Sequence, residues 1–278
     1  MGIGLVLALA AALAFGASDF VGGTGSRQHS PWGVVLIGQV CGAALMVACG
    51  LLAPADPRAA DFAWALLAGA GSAAGSIFLY RGLSRGRMGL VAPVSAVGAA
   101  VLPVLVGVAL GERPTWLAWL GVLVAVPGIW LVSRESPAAT ADTRGALVDG
   151  AAAGAGFGVL FVALAQVSST AGFIPLAANQ LIGAAVTVVA AVALGQEWRP
   201  CPGVLPWGAA SGALGAAGTL TFLLSTQATD LGVAAVLASL YPAVTVALAS
   251  IALGERLGPA QRLGIGICTL AVATLAIG

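Results

Sequence analysis

Asp19 is the only acidic side chain in GIGLVLALAAALAFGASDFVGG (2–23), and Ser18 stands beside it. A carboxylate among so many apolar residues is tolerated when it is protonated, paired or turned towards water. Such a group couples proton movement to another process or contacts a cationic substrate moiety. Alternatively, it lies near enough to its segment's end to reach water, or is capped by Ser18 and the backbone. Gln39, Asn179 and Gln180 are amides in equally apolar surroundings. Buried amides need partners, and between helices such bonds contribute about 0.5–2 kcal/mol. They line a site or fasten helices. Tyr80 and Arg81 close another apolar run, with Arg85 and Arg87 following. These arginines are loop charges that fix orientation, or Arg81 faces an anion such as a substrate carboxylate. Pro93, Pro103 and Pro242 interrupt backbone bonding inside apolar runs, as hinges or as packing devices, and free carbonyls near Ser95, Ser239 and Tyr241 to face a solute.

Other chemistry is poorly supplied. The chain has no lysine, so it carries no phosphate-binding Walker sequence and no ATPase domain. His29 is the sole histidine, and Cys41, Cys49, Cys201 and Cys268 have no metal-ligand spacing. No Ser in an apolar run has a His or Lys base to activate it. The expectation is therefore no enzyme, no metal, no cofactor and no nucleic-acid partner.

The surroundings of these residues define the elements that must hold them. Hydrophobic residues make up 60% of the 278 positions and charged ones 8%, against roughly a quarter charged in soluble domains. About 20 apolar residues span a bilayer as a helix. Ten such runs can be drawn, at 3–24, 32–53, 62–80, 88–110, 114–133, 147–167, 173–194, 204–226, 231–253 and 260–277. They are too long and unbroken for barrel strands. The first lacks the basic flank of a secretion signal and is taken as a mature span. All seven tryptophans fall near run ends, where the ring suits the membrane interface. Gly71 and Gly75, Gly154 and Gly158, and Gly208 and Gly212 have the spacing for close helix approach, within the chain or at a homodimer face.

The chain also repeats itself. ALGER occurs at 109–113 and at 252–256, and residues 70–121 lie over 213–264 at a constant offset of 143. QVCGAAL (39–45) lies over QLIGAAV (180–186), setting Gln39 on Gln180, and the first span lies over the sixth at offset 142, setting Asp19 on Phe161. Five spans per copy is an odd number, so the second copy enters the bilayer inverted. The expected organisation is a five-helix repeat at 1–133, a linker at 134–146 and a second repeat at 147–278. Each ALGER closes a fourth span, with Gly111 and Gly254 placed to cap it and Pro114 placed for the next helix's first turn.

Two five-span halves, each with LGE after its fourth span, resemble the EamA-type carriers of the drug/metabolite transporter superfamily, which includes exporters of aromatic amino acids and of threonine and homoserine. ASLYPAVTVALASIALGER (238–256) and ASDFVGG (17–23) carry the likeness most strongly. The resemblance implies an all-α, multi-pass protein of the inner membrane, a central cavity among helices one to four and six to nine, and Asp19, Gln39, Tyr80, Ser95, Gln180, Ser239 and Tyr241 as lining. It also implies cytoplasmic termini. The arginines point the other way: nine fall on or beside the odd-numbered connections, and only Arg58 and Arg113 on the others. Both orientations stay open. The functional expectation is a secondary carrier in which the two halves rock about a central site, with Asp19 as coupling group, exporting amino acids or related amphipathic metabolites. A passive channel and a non-transporting scaffold or sensor subunit are the alternatives.

Overall fold

A computed structural model describes residues 2–52, 55–84, 88–111, 113, 115–132, 143–253 and 258–277. Every regular element among them is a helix: α1 (Gly2–Gln28), α2 (Pro31–Leu52), α3 (Ala59–Ser84), α4 (Met88–Ala109), α5 (Trp116–Val132), α6 (Thr143–Ala165), α7 (Ile174–Ala193), α8 (Val204–Thr226), α9 (Leu231–Ala238), α10 (Tyr241–Leu253) and α11 (Pro259–Ile277). Six stretches, 2–28, 31–52, 59–83, 147–165, 174–193 and 204–226, are long and apolar enough to cross a membrane. Apolar helix in 94–109, 119–128 and 231–245 is shorter. This is a multi-pass membrane protein.

Three expectations change at this level. The run at 231–253 is two helices rather than one, interrupted at Ser239 and Leu240, and Pro242 sits at the second position of α10, where its missing N–H removes no helical bond. By contrast, α4 passes positions 93 and 103 without a break. Trp32 is an interior ring, 6% exposed and packed with Ala73, Ile77 and Ala191, so not every tryptophan marks an interface. Gly111 does what its position implied: at φ 97° it turns the chain out of α4, its N–H bonding to the Val108 carbonyl. Its proposed counterpart Gly254, together with Glu112, Pro114, Arg85, Arg87, Arg134 and Arg256, lies outside the described residues. So does most of the linker; α6 begins at Thr143, ahead of the expected 147.

The two sequence repeats are not separate bodies. α1 packs chiefly on α8, α3 on α6, α2 on α8 and α7, α4 on α6, and α5 on α11, whereas neighbours within one repeat touch sparingly. Exchanging each helix for its counterpart returns the same pairings: α1 with α8 becomes α6 with α3, and α2 with α8 becomes α7 with α3. Glycine makes the seams possible. A Cβ on Gly71 would fall 2.7 Å from the Gly156 carbonyl oxygen, one on Gly154 2.8 Å from that of Ser95, and one on Gly208 2.6 Å from the Ile37 side chain. These spacings are thus consumed inside the chain. Gly212 on α8 meets the Gly38 backbone of α2 more closely still, whereas Gly266 on α11 has open space around it. Alanine favours a helix over glycine by about 1 kcal/mol. Gly212→Ala is nevertheless expected to lower the thermal unfolding midpoint in detergent, while Gly266→Ala leaves it unchanged or raises it.

Candidate functional site

Helical spacing sets three polar or apolar stripes around one central cavity. Residues four apart share a helix face. On α3 this aligns Ser72, Ser76 and Tyr80; on α8 it aligns Ser211, Gly215 and Thr219; on α1 it aligns Phe15 with Asp19, and all of them line the cavity. α6 adds Phe157, Leu160 and Phe161, while Gln39, Gln180 and Tyr241 enter from α2, α7 and α10. The space measures ≈ 680 Å³ when its open mouth and the gaps around the lining atoms are included.

Of the residues singled out in the sequence, the cavity gathers Ser18, Asp19, Gln39, Tyr80, Gln180 and Tyr241. Asp19 is half-buried and stands nine residues before the end of α1, so it does not reach water by fraying at a terminus. Ser18 does not cap it; its hydroxyl donates to the Ser211 carbonyl at 2.8 Å and lies 3.1 Å from the Ser211 hydroxyl, which is 3.3 Å from that of Tyr80. The Gln39 amide nitrogen donates to Ser72 Oγ at 3.1 Å, while its buried carbonyl oxygen Oε1 has no hydrogen-bond partner.

The remaining candidates stand elsewhere. Ser95 lies behind Tyr241, hydroxyl to hydroxyl at 3.4 Å. Asn179 is 1% exposed beside Gly69, and neither polar atom of its amide is bonded. Ser239 is buried at the break between α9 and α10 with its hydroxyl unbonded. Arg81 does not line the cavity: its Nε donates to Asp149 Oδ1 at 2.9 Å, Nη2 binds the same oxygen, and the guanidinium lies 4.7 Å from the Phe78 ring centre. The anion that Arg81 meets belongs to α6 of the same chain. Ser72, Ser76, Ser211 and Thr219 were not singled out in the sequence, although the i, i+4, i+8 series on α3 and α8 carried the signal.

The cavity has two unlike walls. Ser18, Asp19, Tyr80 and Ser211 form the polar one. Their counterparts at offsets 142 and 143 are Leu160, Phe161, Leu223 and Ala68, all buried and apolar, of which Leu160 and Phe161 line the cavity. Phe161 packs 5.8 Å from Phe15 and 4.4 Å from Phe222, centroid to centroid.

Beyond the cavity, connections from the two repeats touch at both ends of the α2 and α7 pair. Asp61, at the start of α3, accepts the Ser168 N–H at 2.8 Å and its hydroxyl at 3.1 Å, and the Asp56 N–H bonds to the Thr170 carbonyl at 2.9 Å. At the other end the Ser30 hydroxyl donates to the Glu197 carbonyl. α2 has 22 residues, so these ties are separated by about 33 Å of helix.

A family model described as the EamA-like transporter family matches the chain twice, over residues 2–134 and 146–277. No curated protein matches. A solved structure, described only as the crystal structure of a protein, is similar over 98% of this chain and 95% of its own at 19% identity, with a TM-score of 0.75. At that identity the likeness is one of fold.

Arg81→Gln and Asp149→Asn are each expected to lower the thermal midpoint, with the double variant losing less than the sum by about 1 kcal/mol. Calorimetric or fluorescence melts of the four proteins measure that coupling, and additive losses would show the pair to be independent.

Proposed function

The chain belongs to the EamA-like transporter family, and from that premise we propose that it is a secondary carrier that moves small amphipathic metabolites, amino acids and their relatives, out of the cell through the central cavity. The observation that carries this reading is the lining itself: one cavity at the crossing of helices from both repeats, with a carboxylate on one wall and aromatic rings on the other. In this reading α4, α5, the α9 and α10 pair and α11 complete ten crossings of the inner membrane as two inverted five-helix repeats. Inverted repeats give a carrier two related conformations, one open to each side.

The interleaved packing changes which parts move. Rocking of residues 1–133 against 147–278 would tear the seams between α1 and α8 and between α3 and α6. The mobile units are instead mixed bundles, α1, α2, α8, α9 and α10 against α3, α4, α6 and α7, which meet along α2 with α7 and α4 with α9. The ties of Asp61 with Ser168 and of Ser30 with Glu197 then act as gates at opposite ends, each giving up its hydrogen bonds as that end opens.

Asp19 is the coupling group. A proton and a solute contact compete for one carboxylate, so release of solute on one side is linked to protonation there. Counterflow into proteoliposomes preloaded with amino acids and related metabolites tests the carrier reading. The expected result is saturable accumulation of one labelled solute, absent from protein-free vesicles; flux that never saturates and shows no counterflow would indicate a channel. Asp19→Asn is expected to remove the pH dependence of that flux while the protein is made and folds as before. Unchanged pH dependence would remove Asp19 from coupling.

A further inference from the structure

We infer that the cavity recognises an amine: a solute with a primary or secondary ammonium head, an apolar or aromatic body and no carboxylate. This sets aside the amino acids of the carrier reading above in favour of their amine relatives, and rests on that reading for the solute's passage, though not for its binding.

The polar wall offers acceptors in want of donors. The Asp19 carboxylate faces the cavity, and among the described residues that line it there is no arginine. The chain has no lysine at all, and Arg81 is engaged with Asp149 outside the lining. Gln39, 6% exposed, also lines the cavity, with its nitrogen held by Ser72 and its carbonyl oxygen buried without a partner. An ammonium group brings the Asp19 carboxylate both an opposite charge and hydrogen-bond donors. The Ser18, Ser211 and Tyr80 hydroxyls are already engaged with one another, so they offer an incoming anion little. A carboxylate on the solute would be desolvated in this cavity with no cation among the described lining to receive it.

The opposite wall sets the rest of the solute. Phe157, Leu160 and Phe161 line it, and Phe161 occupies the place in the second repeat that Asp19 has in the first. A symmetric duplication would have put a second carboxylate there. The apolar substitution gives the site one charged head position and one hydrocarbon position, and so a single orientation for an amphipathic cation. Ring faces also attract an ammonium that passes them.

Isothermal titration calorimetry on the purified full-length protein in detergent at pH 7 tests this, with 2-phenylethylammonium as the probe. Phenylalanine adds a carboxylate to the same body, and 3-phenylpropionate exchanges the charge. The wild-type protein is expected to bind 2-phenylethylammonium at least about tenfold more tightly than either comparison compound. Asp19→Asn is expected to weaken it by about tenfold or more, the scale of removing one partner from a buried charge pair, whereas Asp19→Glu keeps binding within a few-fold. Matching melting curves for the two variants show that folding is intact, and the glutamate variant provides the test if the asparagine variant does not fold. The inference is overturned if phenylalanine or phenylpropionate binds as well as the amine, if Asp19→Asn leaves affinity unchanged, or if millimolar 2-phenylethylammonium gives no binding heat. Counterflow of other solutes alongside any of these results would leave the carrier reading standing, whereas amine binding without any counterflow would leave the site and remove the carrier.

Discussion

Close approach of glycine backbones across helix pairs is the constraint on which the rest of the molecule depends. Lipid tails are as apolar as leucine, so helices in a bilayer gain little by hiding hydrophobic side chains from it. They associate through dense packing and through polar bonds between them. Here the glycine-on-glycine seams, Gly38 with Gly212, Gly71 and Gly75 with Gly156, and Gly98 with Gly154, each join one repeat to the other. The repeats are laced together by these contacts. The cavity inherits its composition from that lacing: residues of α1, α2 and α3 face residues of α6, α7 and α8 because the seams bring them there.

The duplication persists in the packing and is broken in the chemistry. A Cβ on Gly42 would meet the Gln180 side chain at 2.9 Å, and one on its counterpart Gly183 would meet Gln39 at 2.9 Å. Gly218 likewise lies on the Phe15 ring and Gly75 on that of Phe157. These paired contacts are scaffold, since each works in both copies. Asp19 against Phe161, Ser18 against Leu160 and Tyr80 against Leu223 show the opposite behaviour. A solute site with a direction needs such asymmetry, whereas a helix seam does not. The two glutamines belong to both groups: they fasten the scaffold against the opposing glycines, and they line the cavity.

What could be seen in the sequence follows the range of the interactions involved. Six of the apolar runs and the turn at Gly111 depend on local composition and spacing, and the structure bears them out. Asp19 was conspicuous because a charge in an apolar run has few explanations. Ser211 and Thr219 were not, since a serine or threonine in a helix can satisfy itself on its own backbone, as Thr219 does on the Gly215 carbonyl at 3.0 Å. Nothing near Arg81 in the chain announced Asp149, 68 positions away. The lacing of the repeats was equally invisible: two copies of a five-helix pattern read the same whether they stand side by side or interdigitate. Pro242 announced an interruption, but the break falls at Ser239 and Leu240, where α9 lies against α4 and α1.

The central claim is that the two ends of the cavity open in turn. Pulsed electron spin resonance distances test it most directly, with spin labels on positions 56 and 170 at one end and on positions 30 and 197 at the other, in a background with Cys41, Cys49, Cys201 and Cys268 replaced. Alternating access predicts two populations at each end whose weights move in opposite directions when pH or solute is changed: as one pair separates, the other closes. Distances at both ends that stay fixed under every condition, or that widen together, would contradict it.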